Sequence, residues 1–221
     1  MARLQVDWNE ASLAGGYEGY NPSDLFTALP DEVGKSGKPL VVYLTSDLED
    51  DAQETELATA ALADEKVALG LKMFHAVKVD GSRITRDHAY ADILGGRELP
   101  RLVVVGADGK KVGSTEGKVS ASEVYSLMKR AASRVYKTQI DSYIKDYQKV
   151  LTEIDKIESA KKVLATQRET SGNVSKSKAA KWDREEAEMA KKESELLDQE
   201  KELLAFNRRD GGKVAAASSG P

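Results

Sequence analysis

The sequence predicts two kinds of structure in succession: an α/β domain with a mixed central sheet flanked by helices, and an all-α antiparallel coiled-coil hairpin. In the first part, short apolar runs rich in β-branched residues alternate with helical patterns. In the second part, apolar residues recur at heptad spacing in two long segments separated by a polar break. We therefore expect an N-terminal extension with a first helix (1–37), the α/β domain (38–134), the hairpin (135–206, with its turn at about 167–177) and a flexible tail (207–221).

The composition excludes several classes of function. The chain of 221 residues has a formal net charge of −4, whereas a general nucleic-acid binder needs a basic surface to displace counterions from phosphates. No apolar run approaches the roughly 20 residues that a membrane-spanning helix needs, so we expect no membrane insertion. The N-terminal residues contain no apolar signal-peptide core, which predicts a cytoplasmic protein, although removal of a leader by processing would leave the same pattern.

The strands of the α/β domain are predicted by short apolar runs. Leu40–Leu44 is continuously apolar, as in a strand that is covered on both faces, and Phe74–Asp80 predicts a second strand. Leu102–Val105 and Lys110–Ser114 flank the turn sequence Gly-Ala-Asp-Gly, which is typical of a β-hairpin. Between the second strand and this hairpin, the sequence predicts a helix over Ile84–Leu94.

The start of the next helix is marked by capping residues. Ser120 and Glu123 have the spacing of a capping box, in which the serine side chain accepts from the Glu123 amide and the glutamate reaches back. Val119 and Val124 have the spacing of a hydrophobic staple around the same cap. These residues predict a helix that begins at Ala121.

The order helix, strand, helix, strand, helix, strand, strand, helix is that of a thioredoxin. Residues 36–44 (SGKPLVVYL) are similar to the first core strand of that family, and residues 77–81 (VKVDG) to its second strand and following turn. Residues 98–105 (ELPRLVVV) are similar to its proline-then-strand signature. The chain from Lys38 to Ala132 thus resembles the thioredoxin-like family, and the resemblance implies a cis peptide at Pro100 with a partner-facing groove beside it.

The chain departs from that family where catalysis would occur. It contains no cysteine, so dithiol chemistry and thiol–disulfide oxidoreductase activity are excluded. The strand at Leu40–Leu44 has no Asp or Glu, so the buried carboxylate that assists proton transfer in the family is also missing. Neither His75 nor His88 has a neighbouring nucleophile motif, and no base is placed to activate Ser46. We expect a redox-inactive, non-enzymatic protein without a cofactor.

A partner-binding groove is predicted where the redox centre of the family would lie. We expect it to comprise Leu99, Pro100, Arg101, Asp47, Leu48 and Asp51. The acidic cluster over 47–56 could supply oxygen ligands to calcium, but Ala52 and Ala58 stand where an EF-hand loop beginning at Asp47 needs Gly and Glu. Carboxylates also stabilise a helix N-terminus through the helix dipole, so we expect no metal.

Heptad spacing predicts the interface of the hairpin. The expected interface residues are Ile140, Tyr143, Ile144, Tyr147, Val150, Leu151, Ile154 and Ile157 on the first helix, and Trp182, Met189, Leu196 and Leu203 on the second. Glu186, Glu193 and Glu200 lie close to the same seam on the second helix. A core of two helices with these glutamates is thin, which favours self-association or docking on another chain.

From these features we expect a non-catalytic protein–protein interaction or scaffold protein, in which the hairpin mediates assembly or partner docking. Its partners would be other proteins or further copies of the chain. The alternative is a chaperone-like module that holds an extended peptide in the groove beside Pro100.

Overall fold

A computed structural model describes most of the chain as two compact units. The described residues are 6–11, 13, 25–26, 28–29, 34–46, 57–172 and 174–206. The first unit extends to Ile140 and is a mixed α/β structure, and the second, Asp141–Phe206, is helical. The predicted groove residues Asp47, Leu48 and Asp51, the acidic cluster over 47–56 and the predicted tail at 207–221 lie outside the described residues.

The first unit is built on a five-stranded mixed sheet. Its strands are β1 (Asn9–Glu10), β2 (Leu40–Thr45), β3 (His75–Asp80), β4 (Arg101–Val105) and β5 (Lys111–Glu116). Their order is β1-β3-β2-β4-β5; β3 is parallel to β1 and β2, while β4 is antiparallel to both β2 and β5. Every residue of β2 and β4 is buried. This confirms the prediction that Leu40–Leu44 is a strand covered on both faces, and β4 is covered in the same way.

Helices connect and cover these strands. A short π-helical turn (Ala58–Leu62) precedes α1 (Glu65–Leu71), a 3₁₀ turn (Gly81–Arg83) and α2 (Ala91–Leu94) follow β3, and α3 (Ala121–Val135) follows β5. Asp64 begins α1 as its N-cap, because its side chain accepts from the amides of Lys66 (2.9 Å) and Val67 (3.1 Å). α1 packs against α3 at Gly70, where an added Cβ would lie 2.9 Å from the Met128 side chain.

The helix predicted over Ile84–Leu94 was wrong for most of its length, since only α2 is α-helical. The Asp80 side chain accepts from both the amide (3.0 Å) and the hydroxyl (2.5 Å) of Ser82 and so begins a 3₁₀ turn. Separate turns then continue to Tyr90, for example where the His88 amide donates to the Thr85 carbonyl. Short polar side chains that bond to the nearby backbone compete with helix formation in this way.

The start of α3 was predicted correctly, but its capping box was not. Ser120 is the N-cap, yet its side chain makes no capping hydrogen bond; its hydroxyl instead lies 2.9 Å from the Ser122 hydroxyl. Val119 and Val124 are both buried, as the hydrophobic staple requires. Apolar burial therefore accompanies the start of this helix, while the serine hydroxyl bonds within the first turn.

The second unit consists of two long helices. α4 (Ile140–Thr170) has 31 residues and α5 (Lys176–Leu204) has 29. Ser175 caps α5 by accepting from the Lys178 amide at 3.3 Å. The connection between the helices lies inside the turn predicted at about 167–177 and is shorter than that prediction. No helix in the described part of the chain is both long enough and apolar enough to cross a membrane.

The end of α3 is tied to the segment before β3 by one buried hydrogen bond. The Tyr136 hydroxyl donates to the Met73 carbonyl at 2.6 Å, and both residues are buried. Replacing Tyr136 by Phe leaves that carbonyl without this donor, so we expect Tyr136→Phe to lower the free energy of unfolding by about 1–3 kcal/mol. Urea denaturation of the full chain measures the change.

Ser133→Ala is the control for this prediction. The Ser133 hydroxyl also donates to a backbone carbonyl, that of Arg130 at 2.9 Å, but in an exposed position where water can replace it. We expect this variant to change stability by less than about 0.5 kcal/mol. Equal effects of the two substitutions would contradict a special role for the Tyr136 bond.

Candidate protein-interaction site

The segment around Pro100 is held by buried side chains. The Leu99–Pro100 peptide is cis, as the resemblance implied. Pro100 and Arg101 are buried, and Leu99 is half-buried. The Arg101 Nη1 donates to the Glu98 carbonyl at 3.2 Å. Among the predicted groove residues that the structure describes, Leu99 is therefore the one with appreciable exposure, and Arg101 supports the loop from within.

Glu116 holds the same loop from β5. Its Oε2 accepts from the amides of Arg97 (3.0 Å) and Glu98 (3.3 Å). Burial alone would raise the pKa of Glu116, but these amides and the charges of Arg101 and Lys111 lower it below its usual range. Burial lowers the pKa of Arg101, and the nearby Glu116 charge opposes that effect. This arrangement positions a loop and offers no reacting pair.

The two histidines lie in different surroundings in the first unit. The His88 Nδ1 accepts from the Tyr90 amide at 3.2 Å, and the two rings lie 5.7 Å apart. Burial, followed by the charge of Lys38, lowers the pKa of His75. The described residues contain no group of three or more potential metal-ligating His, Asp or Glu side chains. Ser46 is exposed at the end of β2.

The helical unit has an apolar row at its centre. Val150, Ile154, Ile157 and Leu196 form a buried cluster, with Met189 and Leu203 packed against it. Most of the predicted interface residues are buried, namely Ile140, Tyr143, Ile144, Tyr147, Val150, Ile154, Ile157, Trp182 and Leu196. The remaining three, Leu151, Met189 and Leu203, are half-buried. Apart from Ile140, which belongs to the first unit, the residues that heptad spacing singled out therefore lie in this unit and are buried or half-buried.

A row of glutamates on α5 lies beside the apolar row, and each glutamate contacts a polar side chain on α4. Glu186 contacts Arg168 at 3.1 Å, and Glu193 contacts Lys161 at 2.5 Å. Glu200 accepts from the Tyr147 hydroxyl at 2.5 Å. As the residue number rises along α5 it falls along α4, so the two helices run in opposite directions.

Sequence reasoning identified these glutamates but not their partners. Lys161 and Arg168 occupy the heptad position that Tyr147 and Ile154 also occupy. Polar residues recur at intervals of seven on both helices, and matching these two series in opposite directions could have found the pairing. Arg168 also lies over the Trp182 ring, with 6.0 Å from its guanidinium carbon to the ring centroid.

Several apolar side chains remain exposed on the helical unit. Val163 is 57% exposed, Leu197 36% and Leu204 37%. Val163 lines an open groove of about 580 Å³ between α4 and α5. The groove residues are Ser159, Ala160, Val163, Leu164, Gln167, Glu185, Glu188, Met189 and Lys192. Ala160, Val163, Leu164 and Met189 give this groove an apolar floor, and charged side chains of α5 form part of its rim.

Known proteins add no constraint to this description. The chain matches no protein-family model and shows no significant similarity to a curated protein. The large apolar side chains that are exposed in the described part of the chain, Val163, Leu197 and Leu204, all lie on the helical unit.

Tyr143 provides a pH-dependent test of the helical unit. Its ring lies 5.6 Å from that of Tyr147 and 5.1 Å from that of Phe206, and its hydroxyl has no hydrogen-bond partner among the described residues. Burial, with contributions from Tyr147 and Glu200, raises the pKa of Tyr143 well above its usual range. The neutral phenol therefore contributes stability below about pH 10, and this stability is lost as the pH rises toward the folded-state pKa.

We expect wild-type protein to lose stability more steeply above pH 10 than Tyr143→Phe, by up to about 1.4 kcal/mol per pH unit. Urea denaturation at a series of pH values measures the difference. At pH 7 the substitution should be nearly neutral, because it removes a buried hydroxyl that has no hydrogen-bond partner. Parallel pH profiles for the two proteins would show that Tyr143 is not buried as described.

The pairing of Lys161 with Glu193 can be measured by a double-mutant cycle. Their side chains are 34% and 29% exposed, so solvent screens the pair only partly. We expect alanine substitutions of the two residues to show a coupling of about 0.5–1 kcal/mol. The control is the exposed pair of Lys149 and Asp146, which lie in one helix and have exposures of 65% and 48%. A coupling for Lys161 and Glu193 no larger than that of the control would contradict the described pairing.

Proposed function

We propose that this protein is a non-catalytic interaction or scaffold protein, built from a redox-inactive thioredoxin-like domain and an antiparallel coiled-coil hairpin. The hairpin docks a protein partner or a further copy of the chain. The observation that carries the proposal is the apolar groove between α4 and α5, in which Val163 is 57% exposed. Exposed apolar surface of this kind marks interaction sites on proteins.

The order of the elements supports a thioredoxin-like first domain. From β2 onward the order is strand, helix, strand, helix, two strands and helix, which is the order on which the resemblance rests. The mixed five-stranded sheet is compatible with that fold. Because the chain has no cysteine, such a domain lacks dithiol chemistry and is proposed to serve as a support.

The contacts of α4 and α5 support a hairpin with a thin core. One row of the seam is apolar, centred on Ile154 and Leu196, while the neighbouring row consists of glutamates that contact polar side chains. Paired charges near a surface add little stability, because desolvation offsets most of their attraction. Burial of the exposed Val163 and Leu197 against another protein would add apolar contact to this hairpin.

Peptide binding beside Pro100, as in a chaperone-like module, has less support. Pro100 and Arg101 are buried, and Leu99 is only partly accessible. An extended peptide would find few exposed side chains among these three residues, and we therefore place the binding surface on the hairpin.

Affinity capture with the full chain as bait, followed by light scattering of the purified complex, tests this proposal. We expect Val163→Glu to weaken assembly at least about tenfold, because it places a charge in an apolar contact. The matched control is Ala165→Glu, which introduces the same charge at an exposed position of α4 outside the groove.

The control variant should assemble as the wild type does. A bait that captures no protein and stays monomeric at high concentration would refute the proposal. Equal binding by Val163→Glu and wild type would exclude the groove as the contact surface.

A further inference from the structure

β5 is an outer strand of the sheet among the described residues. The Gly117 amide donates to the Pro100 carbonyl, and the backbone groups of an antiparallel pair point alternately toward and away from the partner strand. The backbone groups of Glu116 and Ser114 therefore point away from β4. An outward row of this kind is a template on which another strand can pair.

A bulge in β5 places opposite charges symmetrically about Ser114. Val105 pairs with Lys111 and Val104 with Gly113, so Val112 is an additional residue in the strand. As a result Lys111, Ser114 and Glu116 lie on the same face of the sheet. Counted in paired positions along β4, Lys111 and Glu116 are each two positions from Ser114.

α3 carries the same order of charges alongside this edge. An open groove of about 580 Å³ between β5 and α3 is lined by Ser114, Thr115, Glu116, Lys118, Ser122, Glu123, Ser126, Leu127 and Arg130. Glu123, Ser126 and Arg130 are exposed, and the Arg130 guanidinium lies near Gly113. Arg130 therefore lies at the basic end of this groove, while Lys111 marks the same end of β5 on the opposite face of the sheet. Glu123 and Glu116 lie at the other, acidic end, which Lys118 also lines.

We propose that this edge binds a second copy of the chain, with the two β5 strands antiparallel about a two-fold axis at Ser114. The axis exchanges the two ends of the edge, so the basic end of each copy meets the acidic end of the other. Lys111 then faces a Glu116, and Glu123 faces an Arg130, in both halves of the interface. Opposite charges directly across an antiparallel pair are favourable.

The bound partner is a second copy of the chain, because a two-fold rotation about Ser114 brings the basic end of this surface opposite an acidic end and the acidic end opposite a basic one. Its basic and acidic ends lie at equal distances from Ser114 on β5, and Ser126 lies between Glu123 and Arg130 on α3. This interface goes beyond the proposed function, which concerns the groove on the helical unit, and the two surfaces share no residue.

Charge reversal on α3 tests the interface. Glu123→Arg alone and Arg130→Glu alone each place like charges opposite one another, and each should weaken dimerisation about tenfold or more. The double variant restores opposite charges and should return the affinity to within about threefold of the starting protein. The dissociation constant of the dimer is measured by sedimentation equilibrium of the full chain. All proteins in this test also carry Val163→Glu, so that association through the hairpin does not mask the result.

A cysteine introduced at Ser114 gives an independent test, because the chain has no other cysteine. Ser114→Cys lies opposite itself across the proposed axis and should form a disulfide-linked dimer under mild oxidation. Ser82→Cys, at an exposed position in the 3₁₀ turn after β3, should stay largely unlinked.

A monomeric protein in the Val163→Glu background would overturn the proposal. So would single charge variants that dimerise like the starting protein, or a double variant that is not rescued. Equal yields of disulfide-linked dimer for Ser82→Cys and Ser114→Cys would show that the disulfides form by random collision. Cross-linking of Ser114→Cys to another protein would assign the edge to a different partner.

Discussion

The complete burial of β2 is the constraint on which the first unit depends. β2 pairs in parallel with β3 on one side and antiparallel with β4 on the other, so it joins the two halves of the sheet. All six of its residues are buried, and an unpaired charge at such a position would be costly. The same apolar strand that holds the sheet together therefore leaves no carboxylate for proton transfer.

Features that depend on local pattern could be predicted from the sequence. The continuous apolar runs at β2 and β4 predicted buried strands, and the serine before Ala121 predicted where α3 begins. The heptad spacing of Ile154 and Leu196 identified residues that form the core of the helical unit. In each case one periodic property, the burial of apolar side chains, determines the local structure.

Features that depend on distant neighbours could not be predicted in the same way. Arg101 is buried because the carbonyl of Glu98 and the charge of Glu116 surround it, and one of these residues lies on another strand. The bulge at Val112 exists only relative to the register of β4. Within the helix predicted over Ile84–Leu94, the His88 side chain accepts from the Tyr90 amide, and the α-helix begins only at Ala91. Such features depend on tertiary contacts or on hydrogen bonds between side chains and the nearby backbone. The spacing of apolar residues in the sequence does not reveal either of them.

Under the proposed function, the polar row between α4 and α5 links the folding of the helical unit with partner binding. Because one row of the seam between α4 and α5 consists of polar side-chain pairs such as Lys161 with Glu193, this row adds little to the stability that the two helices gain from each other. A partner that binds only the folded hairpin adds its own binding free energy to this stability, by about 1.4 kcal/mol for each tenfold rise of its concentration above the dissociation constant. Under that proposal, formation of the helical unit and occupancy of its groove are linked equilibria, and both shift with the concentration of the partner.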